Sequence, residues 1–95
     1  MRLAANEAKI IRGEVERLDP DAEVYLFGSR TDDSARGGDI DVLVFSDTLG
    51  FRELLKLRGR ILDQIGWQQL DLLIRRPDQS DEPFAVMARQ TGIKL

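Results

Sequence analysis

Two short stretches decide how this chain is read: Glu23-Val24-Tyr25-Leu26-Phe27 running into Gly28-Ser29, and Asp39-Ile40-Asp41 running into Val42-Leu43-Val44-Phe45. The first is rich in β-formers and meets a glycine, which predicts a short strand ending in a sharp turn. In the second, Ile40 to Phe45 is a nearly continuous β-branched and apolar run, the pattern of a central strand covered on both faces, with Asp39 and Asp41 at its entrance. No full helix fits between the two stretches, which favours an antiparallel pair.

Outward from this pair, Leu3, Ile10, Ile11, Val15 and Leu18 recur at helical spacing until Asp19-Pro20-Asp21 breaks the pattern. Phe51, Leu54, Leu55, Leu57, Ile61, Leu62 and Ile65 define a second amphipathic helix that Gly66 ends. Gln69 to Arg75 reads as a third strand with Asp71 inside it, stopped by Pro77. Asp81 and Pro83 are expected as the cap and first turn of a last helix carrying Phe84, Met87 and Ala88. Gly92 follows its end, and Ile93 to Leu95 add a short extended tail. The fold class that results is α/β in the α+β sense, a small mixed β-sheet packed with helices.

The 95 residues fit one compact domain, and residues 1–95 are read as a single unit without repeats or linkers. Cysteine and histidine are both absent, which removes thiolate and imidazole metal ligands, disulfides and Ser-His-Asp chemistry together. Any metal must be held by oxygen, and carboxylates remain as acid and base. A formal charge of −3 argues against extensive nonspecific nucleic-acid binding, which needs many Lys and Arg contacts to phosphate. No stretch reaches the length of a membrane span, so a cytoplasmic protein is expected.

On a strand, Asp39 and Asp41 leave the same face with origins about 7 Å apart, close enough to share a hard divalent cation such as Mg2+. A third acid on a neighbouring strand would let two ions sit about 4 Å apart and stabilise the attacking and leaving oxygens of a displacement. Asp71 is the best candidate. An isolated D-x-D pattern is common, and Asp19-Pro20-Asp21 is one that reads as a turn. Asp39-Ile40-Asp41 differs because it opens the most apolar segment of the chain, where an uncompensated carboxylate is costly. Gly28-Ser29 permits close backbone approach and can aim amides and a hydroxyl at phosphate, with Arg30 adding a cation. Ser29 with Asp32 also matches a helix capping box, which is compatible with phosphate binding because both use the free amides of a helix start.

Gly28-Ser29, a nine-residue spacer and Asp39-Ile40-Asp41 together resemble the signature of polymerase-beta-type nucleotidyltransferases. Phe27, Arg30, Ala35-Arg36-Gly37 and the strand carrying Asp71 extend the likeness over nearly the whole chain. Size and the segment from Phe84 to Leu95 are most similar to the minimal nucleotidyltransferases paired with HEPN toxins as antitoxins. One departure is Gly38, where many relatives carry serine. The resemblance implies the nucleotidyltransferase fold, with Ser29 at the triphosphate of ATP, Gly28 and Arg30 beside it, and Asp39, Asp41 and Asp71 as catalytic, magnesium-holding acids. Asp71 would also help deprotonate the attacking hydroxyl.

The activity so implied is magnesium-dependent transfer of AMP from ATP to a hydroxyl, a tyrosine of a cognate HEPN toxin. The competing class is an antitoxin that silences its partner by binding alone. Transfer to a small molecule ranks last, since so short a chain would need a partner subunit to enclose that substrate. Self-association is left open. Arg52, Lys56 and Arg60 form a basic stripe that reads first as a solvated helix face and second as a contact for an acidic partner or for phosphates, which Arg75-Arg76 could join. Trp67 and Tyr25 read as packing residues.

Overall fold

The computed structural model describes residues 5–27, 40–66, 69–79 and 82–95. Along the chain they form α1 (Ala5–Leu18), β1 (Glu23–Phe27), β2 (Ile40–Phe45), α2 (Phe51–Ile65) and β3 (Leu70–Arg75). A 3-10 turn (Pro77–Gln79), α3 (Pro83–Thr91) and β4 (Ile93–Lys94) follow. The sheet runs β3-β2-β1-β4. β1 is antiparallel to β2 and β4, while β2 is parallel to β3, giving the mixed α+β sheet that the alternation of elements predicts. The extended tail proves to be a fourth strand.

Period-two alternation splits the core between the sheet's faces. Ile11 and Val15 of α1 and Leu57 and Ile61 of α2 close over Leu26 and Val42. On the other face Leu43 and Phe45 pack under Ala85 and Ala88 of α3. β2 is therefore central and covered on both sides, as its unbroken apolar run requires. Tyr25 meets Phe45 edge to face at 5.8 Å, and the Arg89 guanidinium lies 4.2 Å from the Phe45 ring centre. The Tyr25 hydroxyl donates to Glu23, and burial followed by that carboxylate pushes its phenol pKa up, the reverse of an activated nucleophile.

Helical spacing overstates what is buried. Phe51 and Leu55 are 75% and 55% exposed because the arc that α2 turns inward centres on Leu57, Ile61 and Leu62. Leu18 ends α1 half in water, and Met87 faces out while the small Ala85 and Ala88 allow α3 to approach the sheet. Phe84's side chain and Trp67 lie outside the described residues, as does Asp81. The residue at the α3 N-cap is Glu82, without a side-chain cap bond, and Pro83 does occupy the first turn.

Two glycines are required by geometry. Gly66 ends α2 at φ +90°, a left-handed region that L side chains avoid. At Gly92 a Cβ would run into the backbone carbonyls of Ala88 and Leu26, so only glycine lets the chain turn from α3 into β4 this close to β1.

The basic stripe is divided. Arg60 donates to Glu14 of α1 at 2.8 Å, as does Gln64, and these bonds hold the Glu14 carboxyl below its usual pKa. Arg52 and Lys56 are exposed. Arg75 and Arg76 do not join them, since each pairs near β3, with Glu82 and Asp78 respectively.

Asp19-Pro20-Asp21 is a turn, as expected, and also an anchor. Asp19 is 7% exposed; it accepts the Ser46 hydroxyl at 2.5 Å and the Asp21 amide at 3.0 Å. The Ser46 oxygen in turn accepts the Thr48 and Leu49 amides. The Ser46 bond, and then the Asp21 amide, outweigh burial and draw the Asp19 pKa down.

Candidate active site

β2 and β3 run parallel with Asp41 directly opposite Asp71. Both acids belong to the face that carries Leu43 and Phe45, because Ile40, Val42 and Val44 alternate toward α1 and α2. Along that face Leu43 and Phe45 are sealed beneath α3, whereas Asp41 is half-buried and Asp71 exposed. Adjacent strands lie about 4.8 Å apart. The two acid side chains therefore start from neighbouring positions on one face, and like charges placed opposite each other on adjacent strands are unfavourable. A pairing that strands could avoid by changing one residue type is the arrangement a bound cation would stabilise.

β1 brings a third strand to the same place. Phe27, its last residue, pairs with Asp41 in antiparallel register. Phe27, Asp41 and Asp71 line one open cavity of about 390 Å3, together with Leu54 and Arg58 of α2 and Leu73 of β3. A larger hollow of about 500 Å3 lies elsewhere, between Arg17-Leu18 of α1 and Leu55-Lys56 of α2, and contains neither acid of the pair. Gln69 reaches Asp71 Oδ1 from 3.5 Å, a long contact that leaves this carboxylate largely to solvent.

Of the residues singled out from sequence, Asp41 and Asp71 are brought together across two strands. Gly28, Ser29, Arg30, Asp39 and the Ser29–Asp32 box lie outside the described residues. Among the described residues no group of three or more acids is gathered for a metal. The Asp41–Asp71 pair nonetheless offers hard oxygen donors in a chain without Cys or His, a donor set that suits magnesium. In the sequence Arg58 is one of several charges interspersed among the apolar residues of α2. Its place in the cavity depends on β3 packing beside α2, and no local pattern signals that.

A family model described as a nucleotidyltransferase domain matches residues 8–89, from within α1 to within α3. No curated protein gives a significant match. Among the described residues no helix is long and apolar enough to cross a membrane.

Proposed function

Because this chain belongs to the nucleotidyltransferase domain family, we propose that it transfers AMP from ATP, with Mg2+, to the hydroxyl of a tyrosine on a HEPN-domain toxin, and so acts as an antitoxin. One observation carries the site half of this reading: Asp41 and Asp71 stand in register on neighbouring strands and line one open cavity. The acceptor half rests on the resemblance to minimal nucleotidyltransferases.

In this reading Asp39 and Asp41 hold magnesium and Asp71 completes the acid set, while Gly28, Ser29 and Arg30 take the triphosphate. Magnesium, when bound, neutralises phosphate charge and stabilises the displacement. Asp71 takes the proton of the acceptor hydroxyl as its oxygen bonds to the α-phosphorus. The bond from that phosphorus to the bridging oxygen of pyrophosphate breaks, and pyrophosphate leaves with the electron pair.

A second reading, silencing by binding alone, draws on Phe51 and Leu55, whose exposure leaves apolar surface on α2. Incubation with α-labelled ATP, Mg2+ and the product of the adjacent gene separates the two. Label in the partner, lost with Asp41→Asn and Asp71→Asn, supports transfer. A wild type that never labels its partner, beside variants that still silence it, leaves binding alone.

A further inference from the structure

β3 is the outer strand of the sheet beside β2, and its backbone groups alternate between facing β2 and facing outward. Ile40 donates to the Gln69 carbonyl at 2.8 Å and Ser46 to that of Arg75 at 2.9 Å, so the odd-numbered carbonyls of this segment turn toward β2. The carbonyls of Leu70 and Ile74 therefore turn outward, and each meets an arginine. Arg75 Nη1 donates to Ile74 at 3.1 Å, and Arg58 Nε of α2 reaches across to Leu70 at 3.2 Å. Leu70 is both the first residue of β3 and the residue before Asp71. Arg58 also lines the cavity that holds both acids.

We infer that Arg58 is a positioning residue for the acid pair: its bond to the Leu70 carbonyl fixes the end of β3 that carries Asp71, and so sets Asp71 opposite Asp41. β2 ties this end through Gln69 on one side, and Arg58 ties it through Leu70 on the other. The inference rests on the proposed function, in which these acids hold a divalent ion.

Two roles for Arg58 predict opposite signs. If it is only a nearby positive charge, its removal makes a cation bind more tightly. If it holds Asp71 in place, its removal makes a cation bind more weakly. Substitutions that match the arginine stem separate the effects. Gln places its Nε2 on Cδ, where Arg carries Nε, and so keeps the donor without the charge, while Met puts a methyl group there and keeps neither.

The test is Mn2+ titration of the full chain, followed by electron paramagnetic resonance, with thermal melts to check folding. Arg58→Met is expected to weaken Mn2+ binding by about tenfold, while Arg58→Gln stays close to wild type. In an Asp71→Asn background Arg58→Met is expected to add no further loss, because its effect passes through Asp71. Unchanged or tighter binding in Arg58→Met, a Gln variant as weak as Met, or an equal further loss without Asp71 each overturns the inference. If Arg58→Met does not fold, Arg58→Gln decides alone: retained affinity supports the positioning role, and lost or tightened affinity refutes it. No Mn2+ binding by wild type, or wild-type affinity in Asp71→Asn, removes the metal site itself and the inference with it.

Discussion

Asp19-Pro20-Asp21 and Asp39-Ile40-Asp41 share a spacing, and the described parts of each show opposite treatment of a carboxylate. Asp19 is enclosed and supplied with donors, the Ser46 hydroxyl and the Asp21 amide. Asp41 instead faces another acid, Asp71, across the β2–β3 ladder. Asp19 meets its needs within the chain, so it belongs to stability. The second arrangement gathers two acids on neighbouring strands, a set of hard oxygen donors that suits a divalent cation.

The largest expected effect falls on the acid pair. Asp41→Asn or Asp71→Asn is expected to lower nucleotidyl transfer by at least about 100-fold. In metal-free buffer Asp71→Asn should melt within about 0.5 kcal/mol of wild type, since the Asp71 side chain is exposed. A variant that loses activity and stability together would make Asp71 a structural residue like Asp19.

Asp19→Asn is the complementary break, expected to cost about 1–3 kcal/mol in urea unfolding at pH 7 while folded protein keeps its activity. Asp19's folded pKa lies below its unfolded value near 3.8. Its contribution is therefore complete above about pH 5, begins to fall near the unfolded value and is lost as pH falls through the lower folded pKa. The stability gap between wild type and Asp19→Asn should close in that acid range and stay constant above it. A gap that widened in acid would contradict the Ser46 bond as its source.

Ser46→Ala sharpens the same side of the comparison. It removes the donor to Asp19 and the acceptor of the Thr48 and Leu49 amides. A loss of about 1–2 kcal/mol is expected, with a coupling to Asp19→Asn of at least about 0.5 kcal/mol in a double-mutant cycle. Asp21→Ala gives the smallest effect, within about 0.5 kcal/mol, because Asp21 contributes its backbone amide to the turn and its side chain is exposed. The second Asp of one motif is thus expected to be dispensable, and that of the other to be required for transfer.

Much of the fold was legible because β1 and β2 are bounded by strong signals. Gly28 follows Phe27, and the apolar run to Phe45 matches the observed strand residue for residue. The antiparallel β1–β2 pair followed from a connection too short for a crossover helix. The depth of each helix in the core was not legible. Phe51, Leu55 and Met87 satisfy the helical period yet face water, since periodicity gives a face and only packing gives its width. At the candidate site, Asp71 could be named from its strand, and its register against Asp41 came from the fold. The Arg58–Leu70 bond was invisible because a hydrogen bond from a side chain to an edge carbonyl leaves no pattern in residue types.

The parallel pairing of β2 with β3 also sets an order of events. Asp41 and Asp71 are separated along the chain by the whole of α2, and they meet only when that helix has docked and the crossover has closed. Parallel pairing of this kind forms late relative to local hairpins, because the loop must close before its contacts reward it. A growing or half-folded chain can hold the β1–β2 hairpin and still have no acid pair. The capacity to handle a nucleotide would then appear only once the sheet is complete.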